Sequence, residues 1–337
     1  MFNRSTLKKI LSVGILILTL GLLFLFVSNN WSDFRSIRLS NPLMLLPAAI
    51  LTVFNIYTTG MLLETAIIPH GIHLRQQVVL GLSSITRFSN SISPGYLGAT
   101  IRGIYFKKEH GLAFARFSSS FIASNLVQLV ISGAIVAIAA FSILGFDADL
   151  QSNKSFLMLI IGGVAVLTAL VWAPTTFILK TIARVQKSHK HKLLERLADA
   201  VTGYKLIQSD KKLLIKLFGW ASITLLCSAA ILFFLYQAIG LSIAIDDLLF
   251  ISALGGWGVI FSITPGNIGV REGLMAFGAK LAGVPVAETL AVSVVLRLLV
   301  VTVSALLSVY FAPKTMGAPI TKLVRSAFSD KSESAKS

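Results

Sequence analysis

Apolar residues run through this chain in blocks too long for a soluble core. Stretches at roughly 10–28, 42–67, 117–145, 156–180, 213–239 and 286–312 approach or exceed the ~20 residues a helix needs to cross a bilayer. Two further apolar regions, 76–106 and 247–282, are interrupted by proline and glycine. The pattern predicts an all-α, polytopic membrane protein with about six full spans and two broken or re-entrant helical hairpins. Residues 1–320 are expected to form one membrane domain. The polar stretch 321–337 reads as a disordered cytoplasmic tail. The run at 10–28 is longer than a signal-peptide core and lacks an A-x-A-like site, so it is expected to persist as a first span.

Composition agrees. Of 337 residues, 55% are hydrophobic and 13% charged, about half the charge of an average soluble chain, which is roughly 25%. The mean hydropathy is +0.81. The net charge of +16 does not point to nucleic acid, because the basic residues sit in loops between spans, as the positive-inside rule requires. Arg4, Lys8 and Lys9, the segment 107–110, the linker 181–212 and the tail after Lys314 mark one side. The loops 147–153 and 244–247 are acidic or nearly neutral, while Arg35 and Arg38 depart from the rule. Both termini are therefore expected in the cytoplasm, with the protein multi-pass in the plasma (inner) membrane. Within the linker, Leu193, Leu197, Val201 and Tyr204 recur at helical spacing and predict an amphipathic helix on the inner membrane surface.

With these sides assigned, region 76–106 enters and leaves from the cytoplasm, and region 247–282 from outside. The two share a motif: "ISPGYLGATIRG" from Ile92 and "ITPGNIGVREG" from Ile263. Downstream segments beginning at Gly111 and Gly283 also match in pattern. The reading is an inverted repeat, with halves at about 42–145 and 213–312. Pro94, Gly95, Gly98, Pro265, Gly266 and Gly269 are the expected hinges or helix breaks. The helix N-termini freed there are expected to attract anions.

Ionisable residues at bilayer depth are rare and need a reason. Arg297 lies in the middle of "AVSVVLRLLVV". Arg271 and Glu272 follow the second break, and Arg102 follows the first. These four are the candidate substrate-binding residues. Arg102 suits either a phosphate or snorkelling, and Glu272 either a headgroup site or its own helix dipole. Glu288 is a possible partner of Arg297 or Lys280. Arg87, Lys280 and Glu288 are expected near interfaces, as is Glu64. Cys227 is the only cysteine, so no disulfide or cysteine metal site exists within one chain. No HExxH, Walker A or nucleophile-elbow pattern occurs. No catalytic residue, metal or cofactor is expected, and enzyme chemistry is disfavoured.

"TPGNIGVREG" followed by "GVPVAETLAVSVVLRLL", with "SPGYLGATIRG" in the first half, resembles the lysylphosphatidylglycerol synthase transmembrane region family of flippase-like proteins. The resemblance implies lipid translocation, and lacks the aminoacyl-transferase domain of the two-domain synthases. Where that family carries charged residues in its first half, this chain has Ala99, Ser124, Asn125 and Gln128. The expected function is movement of an anionic phospholipid or polyprenyl-phosphate-linked glycolipid, with membrane lipids as partners. The alternative is a non-transporting partner or regulator of a glycosyltransferase or lipid-synthesis enzyme.

Overall fold

The computed structural model describes residues 38–92, 97–144, 175–188, 192–258 and 265–316, with isolated positions at 28 and between 162 and 171. These residues form ten α-helices and no strand. The first half holds α1 (Leu45–Ile67), α2 (Gln76–Ile92), α3 (Leu97–His110) and α4 (Phe114–Leu144). The basic linker holds α5 (Thr175–Ser188) and α6 (Lys192–Ser209). The second half holds α7 (Lys211–Ala238), α8 (Ile245–Gly256), α9 (Val270–Leu281) and α10 (Val286–Met316).

Helix length divides them. Stretches Pro42–His70, Phe114–Ala139, Lys211–Ala238 and Val286–Met316 are long and apolar enough to cross a bilayer. Of the other two expected spans, 10–28 lies outside the described residues, apart from Ser28. The span at 156–180 is described only in scattered positions and at the start of α5. By contrast, α2 has 17 residues, α3 has 14, and α8 and α9 have 12 each. At 1.5 Å per residue these reach about 18–25 Å, short of a ~30 Å hydrocarbon core. Each pair folds back on itself as a hairpin.

The hairpins open to opposite ends of the bundle. At the mouth of α2–α3, His70 after α1 meets Ser120 of α4 at 3.2 Å, and Ile67, Ile72 and Leu112 share a core. At the mouth of α8–α9, Ala48 near the start of α1 packs with Tyr236 and Val284. There the Asn41 amide donates to the Ala238 carbonyl at 2.9 Å. The packing is also reciprocal. The first arm of each hairpin, α2 or α8, lies on the closing span of the other half, α10 or α4.

Polar groups join the two central spans, α1 and α7. Asn55 Nδ2 donates to the Thr224 carbonyl at 3.0 Å and to Ser228 Oγ at 2.9 Å. Thr224 Oγ1 meets Thr58 Oγ1 at 3.0 Å. Helices in lipid have no hydrophobic drive to associate, so such bonds and close packing hold them. Asn55→Ala should therefore lower unfolding stability by about 0.6–1.7 kcal/mol. Unfolding in graded SDS measures this, and a loss of zero would remove Asn55 from the helix contact.

The linker departs in detail from expectation. Gly203 and Ile207 of α6 are buried, Val201 and Tyr204 half-buried, and Leu197 exposed. The helix packs against α4 and α5, and Tyr204 Oη donates to the Val171 carbonyl at 3.0 Å. Burial pushes the Tyr204 hydroxyl pKa up to about 12. Protein contact, more than the stripe continued by Leu197, Val201 and Tyr204, sets the face that α6 buries.

Candidate functional site

The second break is a 3-10 turn, Pro265–Asn267, in which Gly266 has φ 58° and Asn267 φ 55°. Gly266 is required twice over. Its φ disfavours any side chain, and a Cβ there would sit 2.9 Å from both the Ser91 carbonyl oxygen and Arg297 Nη1. Ser91 is near the end of α2, so the second break rests on the end of that helix. In that hairpin a Cβ on Gly98 would lie 2.7 Å from the Thr86 Cα, so α2 and α3 close only around glycine. Pro94 and Gly95 lie outside the described residues.

Arg297 holds the second break in place. Its Nη2 and Nε donate to Glu272 Oε1 at 2.5 and 3.0 Å, and its Nη1 donates to the Gly266 carbonyl at 2.9 Å. Glu272 Oε2 accepts the Gly269 amide at 2.7 Å, an N-terminal cap for α9 of the kind a capping box supplies. Glu272 thus caps its own helix and neutralises an arginine in the same geometry. Arg297 pairs with Glu272 and not with Glu288; neither Glu288 nor Lys280 forms an ion pair among the described residues.

A cavity of about 260 Å³ lies between the hairpins and the four long helices. Arg102, Arg271, Glu272 and Arg297 all line it, although they come from three different helices. Gly266 lines it too, while Gly98 and Gly269 act in packing and capping. Arg87 was expected near an interface, yet it lines the same cavity. The reason is helical phase: Ser83, Arg87 and Asn90 form a polar stripe on α2, and the stripe faces inward. That stripe was readable in the sequence. A second polar stripe, Ser124, Gln128 and Ser132 on α4, forms the facing wall.

At the two helix starts that follow the breaks, one amide each is already taken. Glu272 occupies the start of α9, and Asn90 Oδ1 accepts the Gly98 amide at 2.8 Å near the start of α3. The Gly266 carbonyl is taken by Arg297. Positive charge in the cavity comes instead from guanidinium groups. Arg102 Nη2 donates to Ser83 Oγ at 2.9 Å and Nε to the Leu82 carbonyl at 3.4 Å. Arg271 Nε is buried with no hydrogen-bond partner. The only ion pairs among the described residues are Arg297–Glu272 and the exposed Lys108–Glu109, so Arg87, Arg102 and Arg271 have no carboxylate.

The two halves differ at this point. The pattern match between the segments from Gly111 and Gly283 pairs Arg297 with Asn125. Asn125 Nδ2 only bonds back to the Phe121 carbonyl of its own helix, at 2.7 Å. The second break is held by an ion pair, whereas Asn125, the residue the pattern match sets against Arg297, is neutral. No group of His, Cys, Asp and Glu suited to a metal ion occurs among the described residues.

No curated protein gives a significant match to the chain. The sequence profile of the lysylphosphatidylglycerol synthase TM region matches residues 10–308, which is most of the chain. With its four long apolar helices and two half-length hairpins, this membrane protein belongs to the lysylphosphatidylglycerol synthase transmembrane-region family.

Proposed function

We propose that this chain moves a lipid with an anionic headgroup, an anionic phospholipid or a polyprenyl-phosphate-linked glycolipid, between the leaflets of the plasma membrane. One observation carries the reading: residues of both hairpins converge on one cavity that holds three guanidinium groups with no ion-pair partner among the described residues. Unpaired charges removed from water are strongly unfavourable, and an anionic headgroup would relieve them. At about 30 Å³ per water in the liquid, 260 Å³ suits a headgroup and leaves the acyl chains in lipid.

The halves 42–145 and 213–312 are read as an inverted repeat, which the reciprocal packing of α2 on α10 and α8 on α4 supports. A site between oppositely oriented hairpins is the arrangement that alternating access uses in secondary transporters. By the distribution of Lys and Arg, both termini and the linker face the cytoplasm. Arg87, Arg102 and Arg271 would contact the headgroup. Arg297 and Glu272 would hold the second hairpin as one body.

Vesicles reconstituted with the full chain, carrying fluorescent phosphatidylglycerol or phosphatidylcholine, test this by leaflet exchange. Wild type should exchange the anionic lipid. Arg102→Gln with Arg271→Gln should slow it about tenfold or more, since a hydrogen bond to a charged group contributes about 1.5–3 kcal/mol and about 1.4 kcal/mol is tenfold in rate. Absence of exchange for every lipid tried would overturn the transport reading.

A further inference from the structure

We infer that the headgroup taken by this cavity is a diphosphate or a group of equal charge, joined to a hydroxyl-bearing neutral portion and carried on a lipid. The inference rests on the transport reading above and adds the chemistry of the headgroup to it.

Charge balance is the first argument. Glu272 is the only carboxylate lining the cavity among the described residues, and both its oxygens are committed, to Arg297 and to the Gly269 amide. Arg87, Arg102 and Arg271 remain. A phosphodiester carries one negative charge and would leave two guanidiniums uncompensated. A phosphate monoester, at about −1.5 to −2, leaves at least one, whereas a fully ionised diphosphate ester carries three charges and balances them. Arginine also matches phosphate oxygens through its planar fork of donors.

Geometry is the second. Arg87 comes from the first hairpin and Arg271 from the second, and the two repel each other electrostatically; the neighbouring Glu272 offsets this repulsion only in part, and Arg297 adds to it. Arg271 Nε is buried and lacks an acceptor. Arg102 uses Nε and Nη2 on Leu82 and Ser83, so Nη1 makes no hydrogen bond among the described residues. Donors on three helices thus lack acceptors around one space, as a multi-oxygen anion requires.

The rest of the wall is uncharged, with apolar residues such as Leu62, Phe121 and Val300 beside neutral polar ones. Gln128, Asn125 and Ser252 line it, and amides and hydroxyls of this kind exchange hydrogen bonds with a sugar or polyol. Among the described residues that line the cavity, no carboxylate other than the engaged Glu272 is present to receive an ammonium. An aminoacylated, cationic headgroup would add positive charge to three unpaired guanidiniums, so the cavity discriminates against it.

The test is equilibrium binding to the purified full chain in phosphatidylcholine nanodiscs, by titration calorimetry. The probes are farnesyl diphosphate, farnesyl monophosphate, inorganic diphosphate and lysylphosphatidylglycerol. Farnesyl diphosphate should bind about tenfold more tightly than the monophosphate, and more tightly than inorganic diphosphate; lysylphosphatidylglycerol should bind weakest. Arg87→Gln and Arg271→Gln should each erase the diphosphate preference. Equal binding of mono- and diphosphate, or tightest binding of lysylphosphatidylglycerol, would overturn the inference while leaving leaflet exchange of another lipid intact. Inorganic diphosphate binding as tightly as its farnesyl ester would assign the cavity to a soluble anion and overturn the lipid part. Because the ligand panel is run on wild type, the result does not depend on a variant folding.

Discussion

Glu272→Ala should destabilise the protein by about 3–5 kcal/mol, the range for removing one partner of a buried ion pair. The Glu272 side chain is 7% exposed and that of Arg297 24%. Removing the carboxylate leaves the Arg297 guanidinium at membrane depth with only the Gly266 carbonyl as partner. It also uncaps the Gly269 amide at the start of α9. The Arg297–Glu272 pair spans the turn that rests on Ser91, so the loss should propagate to the contact between the hairpins. Unfolding in graded denaturant, followed by tryptophan fluorescence, measures the change. The double variant Glu272→Gln with Arg297→Gln should lie within about 1–2 kcal/mol of wild type, because removing both charges together leaves no buried ion unpaired. A single variant as stable as wild type would mean that the pair contributes nothing.

Gly266→Val should prevent the protein from folding to a monodisperse species. Valine at φ 58° adds left-handed strain to a β-branched side chain, at about 1–2 kcal/mol for the backbone alone. The added Cβ would press on the Ser91 carbonyl, which belongs to another backbone segment and cannot rotate away. It would also displace Arg297 Nη1 and so break the bond that holds the turn. Gly256 is the control: a Cβ there meets nothing within 4 Å among the described residues. Gly256→Ala should shift stability by no more than about 0.5 kcal/mol. Fluorescence-detected gel filtration and thermal unfolding of the two variants give the comparison. A well-behaved Gly266→Val protein would show that this turn does not bear on the end of α2.

Both predictions depend on contacts between segments that are distant in sequence, and this bears on what could be read beforehand. The breaks were legible because proline and glycine act locally on φ and on hydrogen-bond donors. Arg102, Arg271, Glu272 and Arg297 stood out because a charge in an apolar run is conspicuous. Arg87 was misplaced because α2 is less uniformly apolar, with Ser83, Ser84, Thr86, Ser89 and Asn90 around it. In that setting an arginine resembles an interfacial residue until the helix phase is known. Asn125 and Gln128 were noticed only as replacements for charged residues, whereas their i, i+3 spacing with Ser132 four residues on marks a cavity wall.

By itself the amino-acid sequence determined the solvent, the helical class, the long spans and the position of the second break. Those properties follow from composition and from interactions a few residues apart. The tertiary structure decided that Arg297 pairs with Glu272, that the start of α9 is already capped, and that Arg87 joins Arg102 and Arg271 around one cavity. Each depends on the rotation of a helix about its axis and on where two hairpins meet. Packing sets those quantities, and no local pattern encodes them.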